Sequence, residues 1–286
     1  MDLPYLRFFG LKEEPFSTVP SPRYLFLTSV HSTALEKTAY VVGARKGLSV
    51  VFGDTGTGKS SLARLLHQKF LDAGFVSVLL TNPNYPTPNS LLRTIAQEFG
   101  TTRTDRSFKG MLDIFKAYLF DQAADKGRTV VLIADEAQTL RLPMIEFLRQ
   151  LVNYETNEMK LLQLVLFAQD ELRLKLAHPR VRNFRSRIVM ASTLEPLSEQ
   201  EIGEMIAFRW SVASGGRAHP FDAEAIRAIF EHSQGLPRAA TILADNSLLL
   251  AFYQQRTEIG RDVVDQVDRD RDAHLGSTEA REAHDA

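Results

Sequence analysis

The residues best suited to chemistry lie in one glycine-rich run, Gly53-Asp-Thr-Gly-Thr-Gly-Lys-Ser60. Its glycines let the backbone curl, so that successive N–H groups point inward at phosphate oxygens. Lys59 is expected to reach the β- and γ-phosphates, and the Ser60 hydroxyl to occupy a position on Mg²⁺. A helix beginning near Lys59 would add its positive end. The alternative is a chance match to a flexible Gly-Thr loop. The run predicts a site for ATP and Mg²⁺ formed by Gly53, Asp54, Thr55, Gly56, Thr57, Gly58, Lys59, Ser60 and Ser61.

Two acidic residues, Asp135 and Glu136, directly follow an apolar run of strand-forming residues. An apolar strand of this kind projects a carboxylate at its C-terminal end, beside the phosphates bound by the glycine-rich run. Asp135 is then expected to hold the hydration shell of Mg²⁺, and Glu136 to orient and polarise the attacking water. A solvated Asp-Glu turn is the alternative. Together with the glycine-rich run, the pair indicates a nucleotide-hydrolysing site.

Composition excludes several other classes of protein. The chain of 286 residues has no cysteine, which rules out disulfides, thiol catalysis and cysteine-ligated metals. Its formal net charge is −1, so that any contact with nucleic acid would need a local basic patch. The N-terminus lacks the features of a signal peptide, and no stretch approaches the roughly 18 apolar residues of a membrane span. These features predict a cytoplasmic protein that does not contact a membrane.

Short apolar runs alternate with segments of helical period in the first two thirds of the chain. Strands buried on both faces and separated by helices predict an α/β fold with a parallel sheet flanked by helices. The predicted strands are 48–52, 75–80, 129–134, 161–167 and 188–191. The predicted helices between and before them are 31–46, 60–70, 87–99, 108–123 and 143–154.

The remaining segments complete the predicted domain organisation. Residues 1–47 are rich in proline and aromatic residues and are expected to form an irregular strap and a helix covering the nucleotide site. Residues 48–195 form the core, and residues 196–267 form a small C-terminal helical lid that starts at a capping box. Residues 268–286 are charged and are expected to be a disordered tail. In the strap, Tyr24, Leu25 and Phe26 either wall the adenine or belong to the core.

Four stretches of the chain resemble one family, the bacterial AAA+ ATPases of the ExeA/TnsC kind. They are FFGLKEEPFS, GDTGTGKSSLARLL, VLIADEAQTL and QGLPRAATILADNSLL, and the resemblance runs from about residue 6 to residue 255. The group includes type II secretion assembly ATPases (ExeA, also called GspA) and transposition regulators of the TnsC and MuB class. The resemblance implies a P-loop AAA+ fold that binds and hydrolyses Mg·ATP at subunit interfaces.

The resemblance also implies roles for single residues. Asn82 takes the place of a polar residue that senses nucleotide and restrains the catalytic glutamate, unless it merely forms a turn. Gln169 matches sensor 1, although Phe-Ala-Gln stands where Ala-Gly-Gln is expected. Arg238, in Gly-Leu-Pro-Arg, resembles sensor 2, with a surface arginine as the alternative. His31 and His67 have no partner motif and are interpreted as surface or cap histidines.

Three arginines before the fifth strand stand where the family places an arginine finger. Arg185 is favoured, Arg182 is next, and Arg187 is expected to pack or pair at the start of the strand. A finger donated by a neighbouring subunit stabilises charge on the transferred phosphoryl group and contributes roughly 10³–10⁵ in rate. Such a finger implies a homo-oligomer, either a ring or a filament.

Two functions compete, with a AAA+ switch for another client as a third. A transposition regulator would assemble on duplex DNA and recruit a transposase, with a target-site adaptor. A secretion-system assembly ATPase would usually carry a membrane segment and a peptidoglycan-binding domain beyond the ATPase. Because the chain ends soon after the lid, the DNA-directed function is favoured. Arg103, Arg106 and Lys109 are the candidate phosphate contacts, and a solvated loop is the alternative.

Overall fold

The computed structural model describes residues 3–19 and 21–282, which belong to two compact units. The core unit comprises Ser29–Glu195, and the helical unit comprises Met1–Thr28 together with Pro196–Ala286. The N-terminal 47 residues therefore do not act as one segment: the chain divides after Thr28, and the following helix belongs to the core unit. No helix among the described residues has the length and apolar character needed to cross a bilayer.

A parallel five-stranded sheet forms the centre of the core unit, as predicted. Its strands, in chain order, are β1 Leu48–Gly53, β2 Val76–Leu80, β3 Val130–Ala134, β4 Leu162–Ala168 and β5 Ile188–Leu194. Their order across the sheet is β2-β3-β4-β1-β5, and every neighbouring pair is parallel. The three central strands β3, β4 and β1 are buried along their whole length, which explains why their sequences are apolar apart from Gln163 in β4 and Ser49 in β1.

The helices alternate with these strands and then continue alone. In chain order they are α1 Pro4–Phe9, α2 Ser29–Gly43, α3 Lys59–Asp72, α4 Pro88–Glu98, α5 Phe108–Phe120, α6 Leu142–Val152, α7 Glu171–Leu176, α8 Arg182–Arg185, α9 Glu199–Ser214, α10 Ala223–Ser233, α11 Pro237–Tyr253 and α12 Arg261–Glu282. Separate apolar clusters form within the core unit, one including Leu62 and Phe167 and another including Phe115 and Leu148. The sequence did not predict α7 and α8, because helices this short show too little of the helical period.

The strap packs within the helical unit and is not irregular throughout. Pro4 starts α1, where its missing N–H costs nothing because the first turn has no intrahelical acceptor. The guanidinium of Arg209 in α9 donates hydrogen bonds to the carbonyl oxygens of Pro15 (2.9 Å) and Ser17 (2.7 Å). Tyr24 and Phe26 pack, half-buried, on the apolar cluster of this unit. Core packing is thus the role that their contacts show.

The C-terminal segment departs from the expectation of a disordered tail. Helix α12 runs without a break to Glu282, so the prediction is wrong for residues 268–282, and residues 283–286 lie outside the described residues. The segment contains no proline and several residues with high helix propensity, such as arginine, glutamate and alanine. A low content of large apolar residues therefore does not exclude a helix here.

Candidate nucleotide-binding site

The glycine-rich loop joins the end of β1 to the start of α3 at the carboxyl edge of the sheet. Gly56 and Gly58 have φ angles of 87° and 97°, in the left-handed region that glycine adopts without strain. A Cβ at Gly53 would lie 2.7 Å from the Thr57 hydroxyl oxygen and 3.0 Å from the carbonyl oxygen of Leu194. The backbone thus forms a tight cradle at the N-terminus of α3, which is suited to an anion.

Lys59 is nearly buried within this cradle, with 4% of its surface exposed. Its ammonium donates hydrogen bonds of 2.8 Å to the carbonyl oxygens of Gly53 and Asp54. Burial lowers the pKa of Lys59, while the carboxylates of Glu136 and then Asp135 act in the opposite direction. The residues that the sequence assigned to one site are therefore close enough to interact electrostatically.

Asp135 and Ser60 supply oxygen atoms suited to Mg²⁺. Asp135 is 5% exposed, and burial raises the pKa of its carboxyl, while hydrogen bonds from the Ser60 side chain and the Glu136 N–H lower it. Mg²⁺ prefers few protein oxygens and takes its other ligands from phosphate and water. Among the described residues no cluster of three or more acidic or histidine side chains forms a ready cage. The carboxylate of Asp135 beside the hydroxyl of Ser60 fits the small number of protein ligands that Mg²⁺ prefers.

Glu136 adopts an unusual backbone conformation at the end of β3. Its φ angle is 55°, and its carbonyl oxygen accepts hydrogen bonds from the N–H (2.9 Å) and the hydroxyl (2.8 Å) of Thr139. Its carboxylate Oε2 accepts hydrogen bonds from Nε2 of Gln138 at 2.5 Å and from Nε2 of Gln169 at 3.4 Å. Two amide groups therefore orient this carboxylate.

Gln169 and Asn82 differ in how far the structure brings them to the site. Gln169 lies directly after β4, and its Oε1 accepts a hydrogen bond of 2.9 Å from the hydroxyl of Thr55 in the loop. It therefore connects the glycine-rich loop with Glu136. Asn82 is exposed, and its Oδ1 accepts a hydrogen bond of 3.3 Å from the N–H of Asn84. That contact is the turn that the sequence offered as the alternative role of Asn82.

Two histidines that were interpreted from the sequence as surface or cap residues are instead buried or half-buried. His31 is 3% exposed, and its Nε2 donates a 3.0 Å hydrogen bond to the carbonyl oxygen of Thr57 in the loop. His67 is half-buried against Ser77, with 2.9 Å between Nδ1 and the hydroxyl oxygen, and burial lowers its pKa. The expectation was wrong because the apolar face of α2 includes His31.

The remaining candidate cations are exposed. Arg182 and Arg185 lie in α8, before the amino end of β5, whereas the loop follows the carboxyl end of β1. The seven residues of β5 span about 20 Å, so neither arginine is placed to serve its own loop. Within the helical unit, Arg238 is exposed in the first turn of α11. The exposed set also includes Arg103, Arg106 and Lys109.

Comparisons with known proteins fit this geometry. A family model described as an AAA domain matches residues 43–176. The chain is 37% identical over 250 residues to the General secretion pathway protein A of Aeromonas hydrophila, which covers 87% of this chain and 45% of that protein. The chain thus spans about half the length of this curated relative.

Solved structures show the same fold at low identity. The Aeropyrum pernix ORC2 protein in its ADPNP-ADP complexes has a TM-score of 0.67 and 17% identity, covering 91% of this chain and 72% of that one. Drosophila ORC bound to DNA has a TM-score of 0.69 and 17% identity, covering 92% and 65%. The Thermotoga maritima RuvB Holliday junction branch migration motor has a TM-score of 0.55 and 18% identity, covering 82% and 67%. The chain therefore has the P-loop AAA+ fold and is an AAA+ ATPase of the ExeA/GspA kind.

Proposed function

We propose that this chain binds Mg·ATP in the glycine-rich cradle and hydrolyses it. The observation that carries the proposal is the convergence of Lys59, Asp135 and Glu136 at the end of a cradle of backbone N–H groups. A buried ammonium needs an anion, and its present acceptors are the carbonyl oxygens of its own loop. The phosphates of a nucleotide would satisfy it better, because charge-assisted hydrogen bonds are the stronger ones.

Each residue then has a distinct part in the reaction. Lys59 binds the terminal phosphates, and Ser60 with Asp135 holds the cation, whose bound form supplies charge neutralisation on the phosphate oxygens. Glu136 orients and polarises the attacking water. Arg185, or else Arg182, completes the site of a neighbouring subunit, which makes hydrolysis dependent on a homo-oligomer. The first turn of α11 presents Arg238 as the candidate sensor of the terminal phosphate.

The secretion-system function is the better supported of the two. The 37% identity extends over 250 residues of a general secretion pathway protein, whereas neither this relative nor the family model favours a transposition regulator. The position at which the chain ends does not distinguish the two functions, because the chain corresponds to 45% of that relative. We therefore propose that ATP turnover here serves the assembly of a secretion system.

Two variants and one control test the nucleotide function. Lys59→Ala should abolish ATP binding, whereas Lys69→Ala, an exposed lysine of the same helix, should bind normally. Glu136→Gln should bind ATP with unchanged affinity and hydrolyse it at least about 100-fold more slowly. Calorimetric titration with ATP and release of phosphate are the measurements. Normal ATP affinity in Lys59→Ala would refute the site.

The client is tested separately. In the organism that encodes the chain, replacing the gene with the Lys59→Ala form should reduce export of a secreted reporter, and the Lys69→Ala form should not. Binding of a fluorescent DNA duplex by the wild type and by a triple Arg103, Arg106 and Lys109 to Ala variant decides the DNA function. Tight binding by the wild type that the triple variant loses, together with normal export in Lys59→Ala, would favour the DNA-directed role.

A further inference from the structure

Gln138 uses both ends of its side-chain amide beside the candidate catalytic carboxylate. It lies in the short helical turn Ala137–Thr139 that directly follows Glu136. Its Nε2 donates to Oε2 of Glu136 at 2.5 Å, and its Oε1 accepts a hydrogen bond of 3.1 Å from the N–H of Gln169. The N–H of Gln169 can only donate, so the amide oxygen must face it and the amide nitrogen must face the carboxylate.

The main chain of Gln138 is held from a different helix. The ammonium of Lys175 in α7 donates to the carbonyl oxygen of Gln138 and, at 2.9 Å, to that of Leu140. The preceding residue, Ala137, is fully buried in the apolar core. The turn that carries Gln138 is therefore fixed at its backbone as well as at its side chain.

The carboxylate of Glu136 depends mainly on this one amide. The second donor, Nε2 of Gln169, lies 3.4 Å away, and Oε1 of the same residue is engaged by Thr55. Both donors point to Oε2 of Glu136, which leaves Oε1 turned away from these two amides. Asn82, expected to restrain this glutamate, bonds within its own turn instead.

We infer that Gln138 is the positioning residue of Glu136. By holding Oε2, it sets the orientation in which the other carboxylate oxygen meets the attacking water. It also couples that orientation to the end of β4 through Gln169. Gln138 is assigned a role through Glu136 and not through a contact with the nucleotide. The inference rests on the proposed function, since it presumes that Glu136 is the general base that Gln138 positions.

Gln138→Met tests this, because methionine keeps the length and approximate volume of the side chain and removes both polar atoms. Misplacing a catalytic group by about 1 Å costs roughly 10²-fold in rate, so kcat should fall by about 100-fold. The dissociation constant for ATP and the melting temperature should stay near those of the wild type. An unchanged kcat would overturn the inference, and so would equal losses in kcat and in ATP affinity.

A double-mutant cycle separates positioning from a general structural effect. In a background of Glu136→Gln, which lacks the general base, adding Gln138→Met should change the single-turnover rate by less than about twofold. The same roughly 100-fold loss in both backgrounds would show that Gln138 acts independently of Glu136, and would overturn the inference.

A spectroscopic measurement decides the contact without hydrolysis. The ¹⁵N–¹H resonances of the Gln138 side-chain amide should shift when Glu136 is replaced by Ala, and should not shift in Lys69→Ala. If the wild type fails to hydrolyse ATP, the proposed function fails, while this signal still tests the contact. Resonances that stay in place in Glu136→Ala would overturn the inference even in an active enzyme.

Discussion

Replacing His31 by alanine should weaken ATP binding indirectly, because His31 contacts the loop and is not expected to contact the nucleotide. The imidazole of His31, which belongs to α2, donates its Nε2 hydrogen to the carbonyl oxygen of Thr57 in the glycine-rich loop. The peptide unit that carries this oxygen also carries the N–H of Gly58, one of the groups expected to face phosphate. Loss of the donor frees this peptide to rotate and removes part of the cradle's preorganisation.

The expected size of the effect follows from the geometry of this one contact. The bond is 3.0 Å long and is buried, and a typical intramolecular hydrogen bond contributes about 0.5–1.5 kcal/mol net. If that energy serves to hold the loop in its binding form, the dissociation constant for ATP should rise by about 2- to 13-fold. His31→Gln, which keeps an N–H donor, should recover part of the loss.

The same chain provides a matched control in His67→Ala. It also removes an imidazole and a hydrogen bond, to Ser77, but on α3 away from the loop. Both variants should lose stability in urea denaturation, and only His31→Ala should lose ATP affinity in calorimetry. Equal ATP affinities in the two variants would refute the reasoning, because loop positioning would then not depend on His31.

Two further predictions concern pH and backbone. Because burial raises the pKa of Asp135, acidification should begin to weaken Mg·ATP binding at a higher pH than it would if this aspartate were exposed. The Asp135→Asn variant should lack this pH dependence, and parallel pH profiles of the two proteins would contradict the prediction. In urea denaturation, Gly235→Ala should lower the free energy of unfolding by about 1–3 kcal/mol more than Gly216→Ala does. Equal decreases in the two variants would contradict this prediction. Both glycines have positive φ, but only the Gly235 Cβ would meet a backbone atom, 2.2 Å from the carbonyl oxygen of Leu197.

The sheet and the nucleotide cradle were predictable because each leaves a local pattern in the sequence. Strands β3 and β4 are buried on both faces, and their sequences are apolar throughout in β3 and apolar apart from Gln163 in β4. The glycine-rich loop requires glycine at Gly56 and Gly58 for reasons of backbone geometry alone. Lys59 and Asp135 follow from the same local rules, since each stands at a fixed place relative to the end of a strand.

The contacts that orient the site were not predictable, because they join residues far apart in sequence. Gln138 reads as an ordinary polar residue after two acids, and only the fold places its amide between Glu136 and the end of β4. His31 shares the buried face of α2 with Ala34, Leu35 and Thr38, which is the one signal that would have indicated burial. Nothing local indicated that its partner would be Thr57.

The strap and the last helices form one unit although the whole core unit lies between them in sequence. The phenol of Tyr5 donates a hydrogen bond to the Asp245 carboxylate, a residue 240 positions later. During synthesis on a ribosome, the first 28 residues emerge long before α9 and α11 exist. The core unit can fold before the rest of the helical unit is made. Until then, Tyr5 and Phe16 lack the apolar partners that bury them in the folded unit. Residues 3–19 can therefore pack against α9 and α11 only after the whole core unit has been synthesised.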